Sequence, residues 1–452
     1  MQAGRQAVGF HWDGAFRNRF SPRSSGRAMG NGPIRWDTGR DCMLKDKSIL
    51  LGVSGGIAAY KAAEIVRCFV KAQAAVQVVM TANAREFITP LTLQALSGRP
   101  VLTNLFDLEH ESRIGHIEAA RRADLVVLAP ATANLMAKMA SGIADDYLTT
   151  ILLATTAPVL VCPAMNVKMF EHPATQRNLS TLRELGCHVL PPAVGSLACR
   201  EEGTGRLADI PDILEASRRL LTAPSLAGRR ILVSAGPTWE PFDPVRFISN
   251  PSTGKMGYAL ATVAARRSGE VHLVSGPSTL AAPQGVRLSK VVTAREMQES
   301  VLALAPGMDA IVMAAAVSDF RPTEEAPQKI KKIAGEEAVR LTRNPDILAA
   351  LGRSRPGGRH QVLVGFAAET ENLIENAREK LIEKNLDFIV ANNLTQSGSG
   401  FGSDTNQVKI LDRDGTITEL PCLTKEEVAE MVMDRVEQQL GKGEHDDAVR
   451  ED

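Results

Sequence analysis

The sequence predicts the α/β class, with two doubly wound parallel-sheet domains in tandem. Short apolar runs of strand length alternate with helix-length segments along the chain, the pattern of parallel strands joined by crossover helices. The alternation restarts once, after the Pro/Gly-containing stretch Leu221-Thr222-Ala223-Pro224-Ser225-Leu226-Ala227-Gly228. At 452 residues the chain also exceeds what one typical core holds.

In the first array, strands are expected over 47–53, 76–80, 123–129, 159–162 and 187–190, with helices near 57–72, 82–87 and 135–140. The strands are Val/Leu-rich and almost continuously apolar, as strands buried on both faces are. The second array is again Rossmann-like. Its strands fall over 229–235, 271–274, 310–314, 362–366 and 387–390, and its helices near 256–267, 294–304 and 372–384. A hairpin turning at Arg413-Asp414-Gly415 and a helix over 425–440 close the chain. The expected domains are therefore 43–222 and 229–440, with 223–228 as linker. Residues 1–42 are Gly- and Arg-rich without periodicity, and their only acidic residues are Asp13, Asp37 and Asp41. They read as a disordered leader or as translation begun upstream of Met43, a transit peptide being the other reading. The charged segment 441–452 reads as a flexible tail.

With 52 basic and 52 acidic residues the formal net charge is zero, and aromatics are 4% of the chain. Neither a nucleic-acid footprint nor an anionic-membrane surface is expected from such a chain. The six cysteines, at 42, 68, 162, 187, 199 and 422, form no CxxC pair and fit free thiols in a reducing cytoplasm. No uncharged apolar run reaches membrane-spanning length.

Gly52-Val53-Ser54-Gly55-Gly56 joins a strand to a helix N-terminus. Glycines let a backbone approach an anion, and the helix end supplies free N–H groups. It is neither a Walker A loop nor a G-x-G-x-x-G, so a single phosphate, as on FMN, suits it better than a dinucleotide. A tight turn without ligand is the other reading. Thr81 and Thr132 follow strand ends, where their hydroxyls can bond the same phosphate or a flavin ring. Pro163-Ala164-Met165-Asn166 ends another strand and pairs a flexible Met with an amide that orients a polar substrate. His116 is either structural or, if it reaches the crevice, a base. Cys199 lies in a Gly-rich stretch that reads as a mobile lid, whereas Cys68 and Cys162 read as buried hydrophobes.

Residues 54–61 (SGGIAAYK), 129–134 (APATAN), 163–169 (PAMNVKM) and 195–199 (GSLAC) together resemble the flavin-containing cysteine decarboxylases over roughly 47–209. The resemblance implies a flavodoxin-like fold, phosphopantothenoylcysteine as substrate and FMN as cofactor, bound by Ser54, Gly55, Gly56, Thr81, Thr132, Asn134 and Met165. It makes His116 the base, Asn166 the carboxylate-orienting amide and Cys199 the late proton donor. In that chemistry the flavin oxidises the C–S carbon, the thioaldehyde accepts the electrons left by CO₂, and the enethiolate is then reduced.

In the second half Ser234-Ala235-Gly236-Pro237-Thr238 ends a strand and Ser249-Asn250-Pro251-Ser252-Thr253-Gly254-Lys255-Met256-Gly257 opens a helix. The latter is a small-residue helix start suited to phosphates but lacks the remaining P-loop residues. Lys329, Lys331 and Lys332 are either a solvated basic run or a triphosphate clamp. Asp319 follows a strand end, where a carboxylate can read a base amine.

These motifs, with 314–320 (AAAVSDF), 344–348 (NPDIL), 365–370 (GFAAET) and 391–394 (ANNL), resemble phosphopantothenate–cysteine ligase over roughly 228–440. The resemblance implies CTP with Mg²⁺ carried on its phosphates. It puts Ala315, Ala316 and Asp319 at the cytosine, and Lys329, Pro345, Asp346, Ile347, Leu348, Phe366, Lys380 and Lys384 around the nucleotide. Asn250 is implied to stabilise an acyl-cytidylate, with Lys329 catalytic.

A flavodoxin-like decarboxylase followed by a Rossmann-like ligase resembles the bifunctional coenzyme A biosynthesis family of bacteria. 4′-Phosphopantothenate, cysteine and CTP are the implied small-molecule partners. Decarboxylase trimers and ligase dimers combining into a homo-dodecamer are the implied assembly. Two rivals differ in class: a flavin prenyltransferase-like first half, and a non-enzymatic regulator of phosphatases.

Overall fold

The computed structural model describes residues 44–105, 115–196, 202–331, 338–355, 360–369, 371–393, 400 and 402–450, with side chains described to residue 442. The first half contains β1 (Ser48–Val53), α1 (Ala62–Lys71), β2 (Ala75–Met80), α2 (Pro90–Ser97), α3 (Gly115–Arg122) and β3 (Leu125–Ala131). Next come α4 (Ala133–Ala140), α5 (Tyr147–Ala154), β4 (Val159–Pro163), α6 (Val167–Glu171), α7 (Pro173–Glu184) and β5 (His188–Val189). An antiparallel hairpin, β6 (Ala193–Ser196) and β7 (Glu202–Arg206), precedes α8 (Ile210–Leu221).

β1 to β5 form one parallel sheet in the order β2-β1-β3-β4-β5, the flavodoxin-like arrangement. Successive side chains of a strand point to opposite faces. Ile49, Leu51 and Val53 accordingly enter a core with Ile65, Phe69 and Leu93, whereas Leu50 enters a second core with Leu135, Ile151 and Leu179. Helices thus cover both faces, as the apolar strands require.

The second half runs β8 (Arg230–Ala235), β9 (Trp239–Pro241), β10 (Phe247–Ser249), α9 (Lys255–Arg266), β11 (Glu270–Ser275), β12 (Arg287–Lys290), α10 (Ala294–Leu304) and β13 (Ala310–Met313). It continues with β14 (Phe320–Pro322), β15 (Leu341–Arg343), α11 (Ile347–Arg353), β16 (Val362–Glu369), α12 (Leu373–Glu383) and β17 (Phe388–Asn393). β18 (Thr405–Asn406), β19 (Val408–Asp412), β20 (Ile417–Glu419) and α13 (Lys425–Arg450) complete it. The eight-stranded sheet has the order β12-β11-β8-β13-β16-β17-β19-β20. β19 and β20 are the expected hairpin and join the sheet antiparallel.

Two features differ from the sequence reading. Helices α2, α3, α5, α6, α7 and α8 were not read from the sequence, and the segment near 82–87 is a short 3₁₀ turn, Ala82–Glu86. The helix of α13 continues through Arg450, past Gly441 and Gly443, where a tail was expected. Within the stretch read as linker, Leu226 is buried and its N–H donates to Arg267 O at 2.9 Å. No helix among the described residues is long and apolar enough to cross a membrane.

Candidate active sites

In the first sheet the chain leaves β1 toward β2 on one side and returns to β3 on the other. Such a switch point opens a crevice beyond the strand C-termini. A cavity of about 970 Å³ occupies it, within the usual range for small-molecule sites. Ser54, Gly55, Gly56, Thr81, Thr132, Asn134 and Met165 all line it, and so does Asn166. Asn83 also lines it and carried no sequence signal.

Local bonds explain why these residues stand where they do. The buried Ser54 hydroxyl donates to Pro130 O at 2.7 Å and accepts from Thr132 N–H at 2.9 Å, so it ties the ends of β1 and β3 together. That hydroxyl serves the crevice wall more than a ligand. Gly55 packs on Asn83, where an added Cβ would sit 2.4 Å from the Asn83 Cβ. Thr81 and Thr132 cap the following turns, accepting from Ala84 N–H at 3.3 Å and Leu135 N–H at 3.4 Å. Gly56 offers no side-chain cap to its helix end, which leaves that end open to an anion. The open helix start at Gly56, the polar strand ends and the apolar lining from Ile57 and Met165 suit a flavin mononucleotide.

Asn166 caps α6, its Oδ1 accepting from Lys168 N–H at 2.8 Å. Across it runs β7, with Met165 N–H donating to Gly205 O at 2.9 Å. A Cβ on Gly205 would lie 2.3 Å from Met165 O, so only glycine passes at this point. The Gly-rich stretch read as a lid is therefore partly a hairpin seated on the Asn166 loop. Cys199 lies outside the described residues.

His116 is not among the residues lining this cavity. It sits on α3, edge-on to Tyr147 with ring centroids 6.5 Å apart, and its Nδ1 is buried without a hydrogen-bond partner among the described residues. Cys162 is fully buried, which pushes its thiol far above the ordinary value, and Cys68 is pushed up by burial and then by Glu64. Cys162 is the buried hydrophobe that was expected, whereas Cys68 is only half-buried on α1.

The second sheet repeats the geometry, with its switch point between β8 and β13. Residues following both strands are laced together. Ala315 N–H donates to Ser234 Oγ at 3.1 Å, Ala316 N–H to Gly236 O at 2.9 Å and Ser318 N–H to Thr238 Oγ1 at 3.0 Å. Asn250 donates its Nδ2 to Ala316 O and Val317 O, both at 3.2 Å. Its amide nitrogen therefore staples the loop that carries Ala315 and Ala316. Gly254, left-handed at φ 84°, turns the chain into α9.

Asp319 is exposed, and its carboxylate has no partner among the described residues. Asn344 holds the same loop, its N–H donating to Asp319 O and its Nδ2 to Ser318 O, each at 2.8 Å. Pro345 and Asp346 follow, and Asp346 caps α11 through Ala349 N–H at 2.9 Å. The Ile347 side chain is core, and Leu348 packs partly buried against that core, so Ile347 offers a ligand its backbone only. Phe366 is half-buried on β16. Lys384 pairs with Asp346 at 2.9 Å and Lys380 with Glu369. Lys329 is exposed on the excursion between β14 and β15. Its neighbour Ile330 is tied down, N–H to Asp243 Oδ2 and O to Arg246 Nη2, both at 3.2 Å. The Arg246 guanidinium holds the Asp243 carboxyl far below the ordinary carboxylate range. Ser234, Thr238, Asp243, Arg246 and Asn344 were not singled out by sequence as site residues, although several stand inside quoted motifs. No cluster of three or more His, Cys, Asp or Glu able to hold a metal ion exists among the described residues.

Fold and sites together define a two-headed α/β enzyme, with one ligand crevice at the switch point of each sheet. Residues 39–222 match the Flavoprotein family and residues 226–440 the DNA/pantothenate metabolism flavoprotein C-terminal domain. The chain is 47% identical over 398 residues to the coenzyme A biosynthesis bifunctional protein CoaBC of Vibrio parahaemolyticus, covering 87% of this chain and 98% of that one. The crystal structure of a CoaBC C-terminal domain is 41% identical, with 49% of this chain and all of that one covered and a TM-score of 0.42. The FMN-dependent cysteine decarboxylase SpaF is 33% identical, with 40% of this chain and 97% of that one covered and a TM-score of 0.35. The chain belongs to the coenzyme A biosynthesis bifunctional protein family, and is an enzyme with a decarboxylase half followed by a ligase half.

Proposed function

We propose that the second half joins 4′-phosphopantothenate to cysteine using CTP, through an acyl-cytidylate. The first half then decarboxylates the phosphopantothenoylcysteine to 4′-phosphopantetheine with FMN. The observation that carries this reading is the cavity at the β1/β3 switch point, lined by Asn166 and by every residue expected to hold the flavin.

In the decarboxylase, Gly55, Gly56, Thr81 and Thr132 hold the phosphate and polar edge of FMN, and Met165 packs against its ring. Bound there, FMN supplies reversible hydride abstraction from the substrate's C–S carbon. Asn166 orients the carboxylate that departs as CO₂, His116 takes a proton and Cys199 returns one late. Since His116 does not line the cavity of its own chain, it serves the crevice of a neighbouring copy. This agrees with a trimeric arrangement of these halves.

In the ligase, Asp319 reads the cytosine amine, and Ala315 and Ala316 flank the base. Lys329, Lys380 and Lys384 neutralise the phosphates. Phosphate binding at Lys380 and Lys384 competes with their present pairs to Glu369 and Asp346. Mg²⁺ enters on the triphosphate, since such an ion commonly keeps substrate phosphates and waters as ligands. Asn250 acts on the acyl-cytidylate while keeping the Ala316 loop in place. Catalytic units of 43–222 and 229–440, ligase dimers combining with decarboxylase trimers into a dodecamer, and a cytoplasmic location complete the proposal.

Incubating the FMN-loaded protein with CTP, Mg²⁺, cysteine and 4′-phosphopantothenate tests it. Pyrophosphate, CMP and CO₂ are the expected products. A yellow protein releasing none of them defeats the reading.

A further inference from the structure

We infer that Arg321 and Asn344 form a positioning pair that fixes Asp319 and so sets which nucleotide base the ligase half accepts. The inference rests on the reading of Asp319 as the base-contacting residue.

Asn344 is the hub. Its N–H holds Asp319 O and its Nδ2 holds Ser318 O, each at 2.8 Å, so Asn344 fixes the C-terminal end of the loop, next to the carboxylate, while Thr238 and Asn250 hold the residues before it. The other end of the amide, Oδ1, accepts from Arg321 Nη1 at 3.1 Å. That same Nη1 donates to Arg343 O at 2.5 Å, which anchors the guanidinium against β15.

An amide has one donor end and one acceptor end, whereas a guanidinium only donates. Arg321 can therefore face only the oxygen of Asn344, and its presence forces the nitrogen toward Ser318 O. Without the cation only the Nδ2 bond to Ser318 O orients the amide, and the loop loses its second anchor at this residue. Arg321 forms no ion pair with a carboxylate among the described residues, so its charge is not drawn elsewhere. Pro345 and the Asp346 cap follow immediately, so the pair also links the base loop to the start of α11.

The consequence is chemical selectivity. Cytosine presents an amino group at its 4-position and uracil presents a carbonyl oxygen. A carboxylate held in place accepts from the first and repels the second. A site built to hydrogen-bond one group rejects the analogue lacking it only while its polar atoms stay fixed.

The test is the ratio of kcat/KM for CTP to that for UTP, measured on the full chain with Arg321→Met, Arg321→Lys, Asn344→Ala and Asp319→Asn. The urea unfolding midpoint of the same samples, together with residual ligation at saturating CTP, reports that each variant's ligase half is folded. Arg321→Met and Asn344→Ala are each expected to lower the ratio by roughly tenfold or more, with KM for CTP rising more than kcat falls. Arg321→Lys keeps a donor and is expected to restore part of the ratio. Equal losses for both nucleotides, with the ratio unchanged, overturn the role of the pair. If Asp319→Asn itself leaves the ratio unchanged, the underlying reading of Asp319 fails instead. If that variant shifts the ratio while Arg321→Met and Asn344→Ala do not, only the positioning role is lost.

Discussion

Arg266 and Glu215 join the two halves through a two-pronged ion pair, Nε to Oε1 and Nη2 to Oε2, both at 2.6 Å. Glu215 stands on α8 of the decarboxylase half and Arg266 ends α9 of the ligase half. The Arg266 side chain is 3% exposed and also meets Glu426 of α13. Beside it Arg267 binds Glu430, Asp434 at 2.7 Å and Glu437 at 2.8 Å.

Removing one partner of a buried, hydrogen-bonded pair strands the other charge. Arg266→Ala is expected to lower stability by about 3 kcal/mol, read as the shift of the urea midpoint. Glu215→Gln, on the better-hydrated side of the pair, is expected to cost about half as much. Equal, negligible shifts from both would show that the pair holds nothing together.

The Gly205 crossing gives a test of the first crevice. Gly205→Ala puts a methyl group 2.3 Å from Met165 O. Relief requires β7 or the Asn166 loop to move, at a cost of roughly 1–3 kcal/mol. The expected result is a chain that ligates normally but purifies with little flavin absorbance. Full yellow colour in this variant would mean that the hairpin does not shape the flavin site.

Asn250 gives a test of the separation of the two chemistries. Its amide nitrogen fixes Ala316 O and Val317 O, and neither residue touches the first crevice. Asn250→Ala is expected to reduce ligation by about 10²-fold while decarboxylation of supplied phosphopantothenoylcysteine proceeds at the parent rate. Parallel loss of both rates in a folded variant would contradict two independent sites.

A pH dependence follows from Asp346. Burial alone would raise this carboxyl, but Ala349 N–H and Lys384 outweigh it and hold it below the ordinary value. Its contribution to stability is therefore complete above about pH 4 and disappears as the pH falls through the lower folded-state value. Asp346→Ala is expected to cost about 1 kcal/mol near neutrality, as loss of a helix cap does. The gap to the parent chain should close in strong acid. A gap that is constant from pH 7 to about pH 2 would show that the carboxylate charge contributes nothing.

The sheets were legible because their strands are nearly continuous apolar runs, and the crevices because Gly, Thr and Asn stand where those runs stop. Two of the unread helices show why they were missed. α5 buries Tyr147, Leu148, Thr149 and Ile151, so hardly any polar face remains to mark its period. α8 carries Pro211 in its first turn, a position proline favours although it reads as a break. Contacts across long stretches of chain left no trace at all. Glu215 meets Arg266 51 residues later, and the Ser54 hydroxyl reaches Pro130 across 76 residues. Arg321 and Asn344 are likewise ordinary polar residues until the β14–β15 hairpin brings them together.

The position of His116 has a kinetic corollary. On its proposed role as proton acceptor, a His116 beside Tyr147 and off the crevice of its own chain implies that decarboxylation needs more than one copy of the chain. Dilution should then silence CO₂ release steeply, and mixing two inactive variants, one crippled at His116 and the other at Asn166, should recover a fraction of the lost turnover.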